Sequence, residues 1–101
     1  MPGAWQSGDV VLLAEVPEAS LDAEASLIRF LWKAAPLLSL CHDVGYGGLA
    51  QALADAARWS GRKADVALPD EPLHGAAVLA TAPERVAKLG SRGFVQIGEV
   101  R

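Results

Sequence analysis

The stretch of this chain that could do chemistry is His42-Asp43-Val44-Gly45-Tyr46-Gly47-Gly48, set between an apolar run and an alanine-rich amphipathic one. Three glycines in four residues permit positive φ and let backbone N–H groups come close to a ligand. Where such a turn opens a helix, the partial positive charge of the helix end suits a phosphate or a carboxylate. Asp43 could hold a cation or a ligand hydroxyl beside it, and His42 could give or take a proton. The residues expected at a ligand or phosphate site are therefore His42, Asp43, Gly45, Gly47 and Gly48. A purely structural reading competes, because glycines also make tight strand-to-helix turns and a histidine is often satisfied inside a fold.

Other chemistries fail on spacing. Gly45-Tyr46-Gly47-Gly48 lacks the third glycine of a dinucleotide fingerprint at its required spacing, and no Lys-Ser or Lys-Thr follows the glycines as in a Walker loop. His42 and His74 are far apart, and neither has a carboxylate at helical metal-ligand spacing, so no metal site is expected. Ser39, His42 and Asp43 make a nucleophilic triad on paper only, since adjacent strand residues point to opposite faces. No catalytic residue is assigned. Cys41 lies in Leu37-Leu38-Ser39-Leu40-Cys41 and reads as a small buried hydrophobe rather than a nucleophile. It is also the only cysteine, which rules out an internal disulfide and fits a reducing compartment, the cytoplasm.

The elements that must position the glycine turn follow from periodicity. Residues 1–8 have little of it and read as a flexible arm, leaving residues 9–101 as a single domain. Residues 9–14 form an apolar run of the kind found in a strand buried on both faces, ended by Pro17. A helix capped by Ser20 follows, with Leu21, Ala25, Ile28, Leu31, Trp32 and Ala35 on the stripe expected to face the core, and Pro36 stops it. Residues 37–41 then read as a strand leading into the turn. Beyond the turn, Leu49, Ala50, Leu53, Ala54 and Ala57 repeat at helical spacing until Ser60-Gly61. Strands are expected at residues 64–68, 75–81 and 94–100, with a short helix opened by Pro83 and Glu84 between the last two and glycine turns at Gly90 and Gly93. The order is β-α-β-α-β-β-α-β, an α+β domain whose mixed sheet is covered by helices.

Composition narrows the function classes. The chain has 101 residues, of which 51% are hydrophobic and 21% charged, as suits one packed globule. A net charge of −3 and scattered cations argue against a nucleic-acid partner. Arg58, Arg62 and Lys63 are the only local basic group, and they follow a helix end that positive charge complements. No apolar stretch is long enough to span a bilayer, and the N-terminus does not read as a signal peptide. Much of the apolar share is Ala, Val and Leu, and some of that surface is expected to meet a partner.

The segment from His42 through Leu49 to Ala54 resembles the His-Asp-Val-Ser-Asp-Gly-Gly-Leu-Ala motif and following helix in the C-terminal domain of PurL. PurL is phosphoribosylformylglycinamidine synthase, also called formylglycinamidine ribonucleotide synthetase, of the aminoimidazole ribonucleotide synthetase-related superfamily. Glu71, the apolar run at residues 76–81, Pro83-Glu84 and Ile97-Gly98-Glu99-Val100 resemble later pieces of that family in the same order. The resemblance implies an α+β layer fold and a role in purine biosynthesis. It also implies chemistry in which ATP, magnesium and glutamine-derived ammonia turn an amide into an amidine, with an N-terminal partner domain supplying much of the ATP site.

Against the family pattern, Gly45 and Tyr46 stand for a Ser-Asp pair and His74-Gly75 for a Gly-Arg pair. A hydroxyl, a carboxylate and a phosphate-binding guanidinium are thereby lost. Two readings follow. The first is a PurL-like domain, not catalytic alone, that binds part of a phosphorylated ligand at Asp43 and the backbone of residues 45–48 beside an ATP-binding partner chain or within a homodimer. The second is a non-enzymatic module that keeps the fold for self-association.

Overall fold

The apolar run that begins at Val10 has no polar face to offer, and the fold places it where none is needed. The structure is a computed structural model that describes residues 3–16, 18, 20–45, 47–72, 75–89 and 94–101. Strand β1 (Val10–Glu15) is buried except at Glu15. It pairs antiparallel with a strand from the other end of the chain, Ala76–Thr81, from Val10 against Thr81 to Glu15 against Ala76. That strand, β4 in chain order, is buried throughout. Strand β2 (Leu40–Asp43) flanks β4. On the far side of β1 lie β5 (Val95–Val100), bulged opposite Val11 and Leu12, and then the short β3 (Ala64–Val66).

The sheet order is β2-β4-β1-β5-β3, and each of these pairs is antiparallel, so the expected mixed sheet is corrected. The reason is an interleaved strand. β1 and β2 run in the same direction, but both pair with β4 between them, which splits the β-α-β unit and removes the parallel pair. Continuous apolar strands are the habit of parallel sheets, whereas here an antiparallel sheet is covered on both faces.

Each covering layer uses alternate residues of the same strands. Val11, Leu13, Val78 and Ala80 pack with Leu49, Ala52 and Ala56 of helix α2 (Gly48–Ser60). Val10, Leu12, Ala14 and Leu79 pack with Leu27, Leu31 and Ala34 of helix α1 (Leu21–Ala34) and with Leu89, which ends a 3-10 segment, Pro83–Leu89. Burying one such Leu or Val stabilises the fold by roughly 1.5–3 kcal/mol.

Local chemistry sets the helix ends. Ser20 is extended, and its Oγ accepts from the Ala23 N–H at 3.0 Å, a side-chain N-cap. Gly61 closes α2 in the left-handed region, its N–H donating to the Ala57 carbonyl at 2.9 Å. The face of α1 differs from expectation. Of the anticipated stripe only Leu31 is buried, while Leu21, Ile28 and Trp32 are exposed and Leu27 and Ala34 take the core side. Small residues at positions 23 and 34 let the helix close onto the sheet, and a second apolar stripe made the two sides alike in the sequence. After α1, Pro36 sits in a 3-10 turn, Ala35–Leu37, which delays β2 so that His42 and Asp43 lie in the strand rather than in the turn. Pro17, Gly90 and Gly93, read as strand end and turns, lie outside the described residues.

Within the segment read as a flexible arm, Gly3 and Trp5 make contacts with the domain. Gly3 bridges Leu40 on the edge of β2, and Trp5 is 1% exposed in the core. The indole N–H of Trp5 donates to the Arg62 carbonyl at 2.8 Å, and its backbone N–H donates to Ser60 Oγ at 2.9 Å. This segment therefore closes the end of α2 and one core layer. Trp5→Ala is expected to lower stability by about 3–5 kcal/mol, the cost of emptying a buried aromatic site. Urea unfolding followed by circular dichroism checks it, and a loss below about 1 kcal/mol would mean that the segment is not part of the core.

Candidate functional site

The turn from β2 to α2 is built by backbone bonds before any ligand is considered. Val44 N–H donates to the Ala76 carbonyl at 3.0 Å, which extends the β2–β4 ladder, and Gly48 N–H donates to the Gly45 carbonyl at 3.1 Å, which closes the turn. Gly47 and Gly48 have φ of +89° and +75°, a region that disfavours any side chain. Space forbids one as well. A Cβ on Gly47 would lie 2.8 Å from Gln51 Cβ, and one on Gly48 would run into the Glu71 carboxylate.

That carboxylate is the main feature of the site. Gly47 stands at the N-cap of α2 and has no side chain to accept from the first-turn N–H groups. Glu71, from the loop after β3, supplies the acceptor, and the Leu49 N–H donates to its Oε1 at 2.5 Å. A fixed negative charge thereby complements the positive end of the helix dipole. One first-turn N–H that a phosphate could have used is thereby taken by the chain's own anion.

The other expected site residues are divided by the pleat of β2. His42 is half-buried against α2, with Nε2 3.7 Å from Asp55 Oδ2 and its ring edge-on to Trp59 at a centroid distance of 4.6 Å. Asp55 also accepts from Gln51 and Arg58, each at 2.9 Å. Asp43 is exposed on the opposite face. There it joins Glu24 at the margin of an open cleft of about 280 Å³ whose apolar wall includes Val16, Leu27, Val44 and Ala76. Gly45 and Gly47 are exposed and Gly48 is half-buried. Asp43, Gly45 and Gly47 thus remain open to a ligand, while His42 and Gly48 are engaged within the fold. Tyr46 and His74 lie outside the described residues.

Cys41 is half-buried and packs against the α1-side core. Burial, helped by the nearby Asp43 charge, pushes its thiol up to about 11, which suppresses the thiolate a nucleophile needs. Among the described residues no three His, Cys, Asp or Glu come together as a metal site, and no helix is long and apolar enough to cross a membrane. The capping role of Glu71 and the Asp55–Trp59 environment of His42 escape a motif reading. The first had a signal: a helix opened by glycine leaves N–H groups that some distant acceptor must satisfy.

Comparison with known proteins gives one informative relative. The chain is 35% identical over 91 aligned residues to the phosphoribosylformylglycinamidine synthase subunit PurL of Nocardioides sp. (strain ATCC BAA-499 / JS614). The match takes in 80% of this chain and 12% of the relative's length, so it supports a PurL-related domain and spans a small part of that protein. No family model matches the chain. No solved structure matches it either.

Two outcomes test this geometry. Gly48→Ala is expected to cost about 1 kcal/mol or more, through its positive φ and the displacement of Glu71, and Glu71→Ala about 0.5–2 kcal/mol, the usual cost of losing a cap. The double variant should lose less than the sum, because both changes break the same contact. For Cys41, a folded-state pKa raised above the unfolded value gives stability that is present below the unfolded pKa and lost as pH rises toward about 11. Iodoacetamide labelling at pH 8 should therefore be much slower in the native protein than in urea, and equal rates would contradict the burial.

Proposed function

We propose that the chain is a PurL-type domain of purine biosynthesis, corresponding to the C-terminal domain of that enzyme, which acts beside an ATP-binding partner and does not catalyse alone. The observation that carries this reading is the 35% identity extending over 80% of the chain. The strand-turn-helix unit that holds the family-like motif supports it, since Gly47 and Gly48 occupy positions that only glycine tolerates without strain.

The amide-to-amidine reaction needs a nucleotide, a metal and a positioned phosphorylated substrate. The described residues do not by themselves build a site that would hold ATP or magnesium without a partner. The acidic residues around the turn make no three-ligand set, and the helix end that would cradle a phosphate holds Glu71. No step is therefore assigned to those groups here, and the partner supplies them. What this chain offers is a rigid surface, the exposed Asp43 carboxylate and the backbone at Gly45 and Gly47, against which a phosphorylated ligand held mainly by the partner would be oriented. A cytoplasmic location goes with this role.

The test has two arms. The chain alone, given formylglycinamide ribonucleotide, ATP, magnesium and ammonia, is expected to form no amidine above the no-protein control. Supplied in trans to a PurL polypeptide lacking the matching segment, it is expected to restore measurable turnover, and Asp43→Ala to reduce that turnover by about tenfold or more while leaving the melting temperature nearly unchanged. Product from the chain alone would refute the need for a partner. Failure to restore turnover despite stable association would refute the PurL reading.

A further inference from the structure

Helix α1 carries an apolar stripe that lies outside the core, although its Ile28 also lines the cleft beside Asp43. Its core side is Leu27, Leu31 and Ala34, whereas Leu21, Ile28 and Trp32 are 84%, 54% and 69% exposed. With the half-buried Ala25 between them, these residues are spaced four, three and four apart, which is the a/d seam of paired helices. At 3.6 residues per turn they fall in one strip well away from the core side. A single exposed Leu needs no explanation, but a seam including a tryptophan and running the length of a helix marks a contact surface.

The flanking charges say what covers it. Asp22, Arg29 and Lys33 lie on one side of the seam, within about 40° of one another around the helix at that same repeat. The acid stands at the N-terminal end and the two bases at the C-terminal end. In a parallel pair each flank faces the opposite flank of the other helix, so Asp22 would not meet Arg29 and Lys33. In an antiparallel pair about a two-fold axis, the same flank of each helix faces the other with its ends exchanged, so Asp22 of one copy meets Arg29 and Lys33 of the other. The helix dipoles are then also opposed favourably.

We infer that α1 pairs antiparallel with α1 of a second copy of this chain, through Leu21, Ala25, Ile28 and Trp32 and the Asp22–Arg29/Lys33 flank. The inference stands independently of the PurL reading. A contact of one helix of this length is smaller than the roughly 1,200–2,000 Å² of stable interfaces, so the association should be reversible at micromolar concentration.

Sedimentation equilibrium of the full chain, from about 1 to 500 µM, tests it. The expected result is one monomer–dimer equilibrium, weakened about tenfold or more by Trp32→Glu or, separately, Ile28→Glu, with unchanged circular dichroism. Having two single variants guards against one of them misfolding. Asp22→Lys should also weaken the dimer, and combining it with Arg29→Asp and Lys33→Asp should restore it, which only the antiparallel arrangement predicts. A chain that stays monomeric over the whole range would overturn the inference, whether or not another protein binds α1. So would dimers indifferent to Trp32→Glu and Ile28→Glu, or charge reversal without restoration.

Discussion

The pairing of β1 with β4 is the constraint on which the rest of the molecule depends. Both strands are apolar along almost their whole length, so their ladder lies in the middle of the sheet with no face left for water. Two covering layers are then obligatory. α2 and Trp5 make one, and α1 with the segment ending at Leu89 makes the other. The neighbouring strands follow from the same demand. A central strand must satisfy its backbone groups on both sides, so β2 completes β4 and β5 completes β1.

Within that frame the glycine turn is a device for joining a sheet edge to a covering helix. Because Gly47 cannot cap α2 and Gly48 leaves room for a carboxylate, the loop after β3 is tied to the helix start through Glu71. The same contact satisfies an orphan donor and complements the helix dipole. It also changes the electrostatic character of the site. A turn that looks suited to a phosphate carries a fixed negative charge, with Asp43 a second one nearby in sequence.

The elements were legible in the sequence wherever one signal had no rival. Ser20 before an amphipathic run, Gly61 after one and the uninterrupted run at Val10 each specified a local structure that the fold adopts. Legibility failed where two arrangements satisfy the same local rule. Two apolar stripes on α1 have the same period, so only packing could choose Leu27 over Ile28. Apolar strands do not encode their neighbours, and the insertion of β4 between β1 and β2 is a long-range fact. At the site, spacing identified the turn but not its occupant. The Glu71 contact spans 22 positions in the chain, beyond the reach of a motif.

The position of β1 bears on how the protein is made. In chain order it is made well before both of its partners, β4 and β5. Until Thr81 and then Glu99 are available, Val10 and the residues after it have nothing to pair with. The nascent chain must therefore carry an unpaired apolar strand until β4 and β5 have been made, a state prone to wrong association. Local helix formation in α1 and α2 can run ahead, but the sheet can close only once β4 and β5 have emerged. Folding governed by such distant contacts is slow compared with that of helical bundles of similar size.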